Sequence, residues 1–256
     1  MMLLIAFVAA LASLLTLYSG FGLGTILTPV FGLFFPLHVA VALTGIVHLL
    51  NNLFKLALLG KNASRTMVLQ FGIPSVLGGI VGATLLSSLS TKSSWFEWRC
   101  CDHVFAVTPL KLIIAILMIF FALMEILPSL KSLNFAKRYL TAGGLLSGFF
   151  GGLSGHQGAL RSAFLINSGL SKEQYIATGV TIACMVDFIR LPVYFSRFSA
   201  NNLLEQWPLL LIATLSAFAG AWVGNKYVKK ITLNSVQKIT AAMIIIIAIL
   251  LGSGIV

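Results

Sequence analysis

Ionisable residues are rare in this sequence, and the few that interrupt its apolar runs are those whose types could support chemistry. Arg161 is the sharpest candidate for contact with an anion, because a guanidinium offers paired N–H donors that match the oxygens of an oxyanion. A cation inside an apolar run also needs a partner. His156, five residues earlier, would reinforce this contact. The alternatives for Arg161 are an ion pair with Asp187 or an extension of its side chain to the aqueous boundary.

Asp187 and Arg190 are three residues apart, a spacing that places both side chains on one face of a helix. The pattern predicts an internal ion pair. The functional alternative makes Asp187 a proton carrier, with His48 and His156 as further coupling candidates because histidine titrates near neutral pH. Lys55, near the end of an apolar run, is expected to extend its ammonium to the aqueous boundary.

A polar stripe follows Thr44 along one predicted helix. His48, Asn51 and Asn52 lie three to four residues apart and so project from one side of that helix. A stripe of this kind inside an apolar helix faces a cavity, or it forms hydrogen bonds with neighbouring helices. Both interpretations stay open at this point.

Two glycine-rich breaks interrupt the apolar sequence at matched places. Gly24 precedes Thr44 by 20 residues, and Gly158 precedes Thr178 by the same number. Apolar segments broken at corresponding places in two halves are typical of transporters with a binding site at the membrane midplane, although glycines also permit close helix packing. The residues expected to contact a substrate at these breaks and on the helices after them are Gly22, Gly24, Thr25, Thr44, Gly155, His156, Gln157, Gly158 and Thr178.

The composition identifies an integral membrane protein. Of 256 residues, 59% are hydrophobic and 9% are charged, and no Asp, Glu, Lys or Arg precedes Lys55, so a soluble globule could not bury the apolar surface. We expect the first apolar run to be retained as a helix rather than removed as a signal peptide. The net charge of +11 is expected in cytoplasmic loops, which makes nucleic acid a poor explanation of it. The three cysteines match no metal or redox pattern.

Ten apolar segments are predicted, five in each half of the chain. A membrane-crossing helix needs about 20 apolar residues, so two of these segments are too short to cross alone and are predicted to be half-helices that meet near the midplane. Lipid cannot hydrogen-bond an open backbone, and the breaks must therefore face protein or a lined cavity. The segments cover residues 2–18, 23–35, 38–59, 66–88 and 108–127 in the first half and 138–152, 156–168, 173–196, 204–225 and 235–252 in the second, with 23–35 and 156–168 as the short pair.

The predicted fold is an all-α integral membrane protein with two inverted repeats of about five segments each. The first repeat covers residues 1–128, a hinge loop covers 129–137, and the second repeat covers 138–256. This count puts most Lys and Arg residues on one side, as the positive-inside tendency requires, whereas four passes per half would spread them evenly. The segment 89–107 then lies on the extracytoplasmic side with its tryptophans as interface anchors.

The motifs resemble those of a known family. The glycine-rich break and Thr-Pro pair between Gly20 and Pro29, then Phe34-Phe35-Pro36 and Ala42-Leu43-Thr44, resemble the N-terminal signature of the sulfite exporter TauE/SafE family. The run from Gly151 to Gly158, followed by Ala177-Thr178-Gly179, is similar to the C-terminal copy of that signature.

This resemblance covers about residues 5–250 and implies a secondary active transporter of the bacterial cell inner membrane. Its expected substrates are sulfur-containing anions such as sulfite or organosulfonates, exported by alternating access without a cofactor or a metal. The chain departs from the commonest pattern at His156-Gln157 and Arg161, where small or apolar residues are more usual, and this departure favours a specialised substrate.

Three other functions are weighed against that one. A passive anion channel, or an importer of another small anion, would fit the same sequence. A membrane scaffold without transport would gain nothing from matched helix breaks. An enzyme is not expected, because the sequence holds no His-Glu-x-x-His motif, no Gly-x-Ser-x-Gly motif and no paired intramembrane carboxylates.

Overall fold

The computed structural model describes residues 1–19, 22–59, 62–100, 103–127, 135–165, 168–198, 205–227 and 233–255. These residues form ten helices, a 3₁₀ turn over Lys137–Tyr139 and one β-hairpin. The helices of the first half are α1 (Met2–Ser19), α2 (Leu23–Gly32), α3 (Leu37–Leu59), α4 (Arg65–Ser90) and α5 (Pro109–Ile126). Those of the second half are α6 (Leu140–Ser154), α7 (Gly158–Leu165), α8 (Lys172–Arg197), α9 (Trp207–Tyr227) and α10 (Leu233–Gly252).

Each predicted apolar segment corresponds to one helix, and the all-α membrane fold is confirmed. Four helices are long and apolar enough to cross a membrane by length and composition: α3, α4, α8 and α9. The apolar stretches of α1, α2, α5 and α10 are shorter. Within α4, the stretch Val68–Gly72 is π-helical, so this helix contains a local irregularity in its hydrogen bonding.

The expected extracytoplasmic loop contains a β-hairpin that the sequence analysis did not predict. Strand β1 (Phe96–Cys100) pairs antiparallel with β2 (His103–Val107). The Trp98 indole N–H donates to the carbonyl oxygen of Ser253 at 2.7 Å, which fixes the hairpin to the end of α10. Trp95 is 74% exposed, and this position suits the interfacial role predicted for the tryptophans.

Small residues set the contact between α4 and α6. A methyl group placed on Gly148 would lie 1.8 Å from the carbonyl oxygen of Ser75, and one on Gly78 would lie 2.0 Å from that of Leu145. Gly220 of α9 is equally close to α1, with 2.0 Å from such a methyl group to the carbonyl oxygen of Ala10. These distances leave no room for a side chain, so the glycines allow the helices to pack closely.

Helices α3 and α8 lie antiparallel at the centre of the molecule. At one end, the ring of His38 lies 4.8 Å from that of Phe198. At the other end, Lys55 and Tyr175 line the same cavity. Helix α4 packs on α6 and α8, and α9 packs on α1 and α3. Other contacts join α1 with α2, α6 with α7, α2 with α3, α7 with α8, α5 with α10, α2 with α10, and α5 with α7.

The two glycine-rich breaks meet between these helices. Helix α2 has only 10 residues and begins after Gly22, and α7 has 8 and begins at Gly158. Gly155 ends α6 with φ +81°, a left-handed conformation that glycine adopts without strain. A methyl group on Gly24 would lie 2.9 Å from the Gly155 carbonyl oxygen, so the breaks approach each other too closely for side chains. Gly20 and Phe21, also part of the first predicted break, lie outside the described residues.

Candidate substrate-binding site

A cavity lies where both broken regions meet α3 and α8. The cavity is small, with a volume of about 30 Å³. The first half of the chain contributes Thr16, Gly22, Leu23, His48, Asn52 and Lys55, and the second half contributes Arg161, Leu165, Tyr175, Ile176, Gly179 and Val180. A space of this size fits an ion of a few atoms.

Two cations dominate the lining of this cavity. Lys55 is 3% exposed and Arg161 is 7% exposed. Among the described residues, neither cation has a carboxylate within 4.0 Å, since the ion pairs there are His48–Asp187 and Arg190–Asp187. Nη1 of Arg161 is buried, and none of the residues that the structure describes forms a hydrogen bond with it. Charge burial of this kind is costly unless another group compensates it, so the cavity is suited to an anion.

The position of Lys55 corrects the expectation that this residue extends to the aqueous boundary. Its side chain lies inside the cavity. With the Asn51 amide oxygen turned toward it, the Lys55 ammonium donates to that oxygen at 3.2 Å. The signal for this position was present in the sequence, because Lys55 follows His48 and Asn52 at helical spacing and extends the polar stripe by one turn.

The predicted polar stripe on α3 serves two purposes. His48 and Asn52 line the cavity. Asn51 faces α1 and α9, where its amide nitrogen, in the orientation that accepts from Lys55, donates to Ser13 Oγ at 3.0 Å and to the Ala217 carbonyl oxygen at 3.2 Å. Asn51 therefore holds Lys55 by a hydrogen bond but does not line the cavity.

A buried network joins the two halves beside the cavity. Nδ1 of His48 lies 2.5 Å from Oδ2 of Asp187, and Nε of Arg190 donates to Oδ1 of the same carboxylate at 2.8 Å. The amide nitrogen of Asn52 lies 3.1 Å from His48 Nδ1 and 3.2 Å from its Nε2. The position of Nδ1 beside the carboxylate fits an imidazole that donates from Nδ1 to Asp187. The predicted ion pair of Asp187 with Arg190 is present; the alternative pair with Arg161 is not found in the described part of the chain.

The second break contributes to this network through Gln157 rather than through His156. The Gln157 amide nitrogen lies 3.5 Å from Asp187 Oδ1. His156 is stacked on Phe121 with ring centroids 5.9 Å apart, and its Nδ1 lies 2.9 Å from the carbonyl oxygen of Ser154. His156 does not line the cavity that holds Arg161, so the structure does not place it where it could reinforce Arg161 directly.

The remaining predicted residues lie around the cavity at different depths. Thr178 accepts a hydrogen bond from the backbone N–H of Ser64 at 2.8 Å, so its hydroxyl holds the chain that precedes α4. Gly179, the next residue, lines the cavity instead, and a methyl group there would lie 3.4 Å from Arg161 Nε. Five other predicted residues are buried but do not line the cavity: Gly24, Thr25, Thr44, Gly155 and Gly158.

Comparison with known proteins agrees with this architecture. The family model described as sulfite exporter TauE/SafE matches residues 5–251, nearly the whole chain. No curated protein and no solved structure is significantly similar to it. The matched region includes both breaks, the cavity and the buried network. This chain therefore belongs to the sulfite exporter TauE/SafE family and is a multi-pass membrane transport protein.

Proposed function

We propose that the protein is a secondary active exporter of small sulfur-containing anions, with sulfite as the substrate that the cavity fits best. One observation carries this proposal: Lys55 and Arg161, one from each half of the chain, are buried in a single small cavity with no carboxylate beside them among the described residues. An oxyanion between them would neutralise both charges and accept hydrogen bonds from both.

The size and donors of the cavity favour a compact oxyanion. Arg161 offers a buried Nη1 that no protein group occupies, and Asn52 adds an amide to the lining. The small volume of the cavity, about 30 Å³, favours a compact ion over a bulky one. An organosulfonate carries an additional carbon chain, and we expect it to require further opening of the cavity.

The packing of the helices supports alternating access by two inverted halves, residues 1–128 and 138–256. Each helix of the first half, α1–α5, has a counterpart at the same position in the second half, α6–α10. When every helix is replaced by its counterpart, the pair α4–α6 becomes α9–α1, α4–α8 becomes α9–α3, and α2–α10 becomes α7–α5. All of these pairs are in contact. The corresponding helices α3 and α8 are antiparallel. Inverted repeats that meet at a midplane site are the usual architecture of carriers that open to one side at a time.

The His48–Asp187–Arg190 network is the proposed coupling element, and the bacterial inner membrane is the proposed location. Asp187 contacts His48 of the first half and Arg190 of the second half, so a change in its protonation would alter a contact between the halves. An inward proton gradient across that membrane would then drive export.

The proposal is tested by flux measurements in proteoliposomes. Wild-type protein is expected to give saturable flux of labelled sulfite that responds to an imposed pH gradient, with lower flux of taurine and chloride. Arg161→Ala should abolish most of this flux, whereas Arg138→Ala, which removes an exposed arginine, should leave it unchanged. Flux that rises without saturation would show a channel instead, and no sulfite flux in the wild type would overturn the proposal.

A further inference from the structure

A second group of polar side chains lies close to the breaks but outside the cavity. The hydroxyl of Thr28 on α2, the hydroxyl of Thr44 on α3 and Nη2 of Arg190 on α8 are buried and have no hydrogen-bond partner in the described part of the chain. All three residues are 0% exposed. Buried polar atoms are nearly always hydrogen-bonded, and threonines in helices commonly donate to their own backbone four residues earlier. Neither threonine does so here.

Two of these residues approach the glycine that ends α6. A methyl group on Gly155 would lie 3.3 Å from Thr28 Oγ1 and 3.6 Å from Arg190 Nη1. Arg190 Nη2 lies 3.4 Å from the corresponding position on Gly45, the residue after Thr44. Thr44 also contacts the first break, with 3.6 Å from its Cγ2 to a methyl group placed on Gly24. The hydroxyl of Thr28, the guanidinium of Arg190 and the side chain of Thr44 thus lie around the crossing of the breaks.

The cluster of Thr28, Thr44 and Arg190 lies on the opposite side of the His48–Asp187 contact from the cavity. On α3, Thr44 is four residues before His48, whereas Lys55 is seven residues after it. On the antiparallel α8, Arg190 follows Asp187, whereas Gly179 of the cavity precedes it by eight residues. Along both helices, the His48–Asp187 contact therefore lies between the residues of the cavity and those of the cluster.

Other hydrogen bonds hold the helices together beside the cluster. Arg190 Nη1 donates to the carbonyl oxygen of Gly151 at 2.8 Å, and the Tyr194 hydroxyl donates to that of Gly152. Both bonds tie α8 to the end of α6. The cluster residues are fully buried, whereas the cavity holds space.

We propose that Thr28, Thr44 and Arg190 form a second oxyanion-binding site, which the transported anion occupies when the protein opens to the face opposite the Lys55–Arg161 cavity. This inference rests on the proposed transport function and deepens it. The anion would accept hydrogen bonds from Arg190 Nη2 and from both hydroxyls, the type of charge-assisted contact that binds oxyanions.

Substitution of the two threonines by valine tests the site without removing a hydrogen bond of the present conformation. Because neither hydroxyl has a protein partner, Thr28→Val and Thr44→Val should fold as stably as the wild type. Thr214→Val is the matched control, since Thr214 is a buried threonine of α9 whose hydroxyl is also unpartnered. The readout is the half-saturation concentration for labelled sulfite, measured separately from each face in oriented proteoliposomes.

The double variant Thr28→Val/Thr44→Val should raise the half-saturation concentration about tenfold or more on one face, with less than about twofold change on the other. Lys55→Met should act mainly on that other face, and Thr214→Val should match the wild type on both. Equal values for the double variant and the wild type, or equal shifts on both faces, would overturn the second site while transport itself stands. Absence of saturable flux in the wild type would instead refute the transport function and this site with it.

Discussion

At the residue scale, the protein combines unpaired buried cations with a fully paired carboxylate. Lys55 and Arg161 have no carboxylate beside them among the described residues, and Asp187 contacts both His48 and Arg190. In the Lys55–Arg161 cavity, no carboxylate of the described residues therefore competes with an anion for the two charges. The paired Asp187 therefore stabilises the junction of the halves without occupying the binding cavity.

Asp187→Asn is expected to separate coupling from binding. The amide keeps the shape and can still form hydrogen bonds with His48 and Arg190, but it cannot exchange a proton. In proteoliposomes, sulfite exchange between equal concentrations on both sides should persist, while uphill flux driven by a pH gradient should be lost. The control is Thr214→Val. A substitution of Gln157 would not serve, because Gln157 also contacts Asp187. Unchanged gradient-driven flux in Asp187→Asn would remove this residue from the coupling mechanism.

Several site residues could be predicted from the sequence, and others depended on the fold. Arg161 stood out because it is a cation in a broken apolar segment. The position expected for Lys55 was wrong, because a lysine near the end of an apolar run commonly extends to the aqueous boundary. Its spacing from His48 and Asn52 instead indicated a side chain on the buried polar face of the helix. The contact of His48 with Asp187 spans 139 residues, and no local pattern encodes a contact at that separation.

At the scale of helices, the glycine positions have two distinct uses. Those of α4 and α6 bring two backbones together along the helices, as the 1.8 Å from a methyl group on Gly148 to the Ser75 carbonyl oxygen shows. Gly24 and Gly155 instead let the two breaks meet. The matched breaks were evident in the sequence, whereas the partner of each glycine became evident only from the packed helices.

Gly148→Ala should destabilise the protein, because the new methyl group meets backbone rather than a movable side chain. Overpacking of this kind costs roughly 1–3 kcal/mol. Thermal unfolding of the purified protein in detergent should show a lower midpoint than the wild type. Gly32→Ala is the matched control, since a methyl group there has only the Leu37 side chain at 4.0 Å. Equal midpoints for wild type and Gly148→Ala would contradict the close approach of α4 and α6.

At the scale of the whole molecule, both halves of the chain line the cavity. Lys55 comes from α3 of the first half and Arg161 from the half-helix α7 of the second, which packs on α8. The ten segments and their half-helices could be predicted from apolar patterning. The β-hairpin over 96–107 could not, since its two strands are short and its aromatic residues were equally consistent with an interfacial loop.

The central claim is that one small oxyanion binds between Lys55 and Arg161, and sulfite binding to purified protein tests it most directly. Calorimetric titration should compare the wild type with Lys55→Met, Arg161→Gln and the double variant. Lys226→Met, which removes an exposed lysine of α9, is the control. Each single substitution should weaken binding by at least about tenfold, since a charged partner of the anion is lost.

Because both cations would hold the same ion, the effects of the two substitutions should not add. We therefore expect the double variant to lose little beyond the weaker of the two single variants, and Lys226→Met to bind like the wild type. Sulfite that binds Lys55→Met and Arg161→Gln as tightly as it binds the wild type would contradict the account.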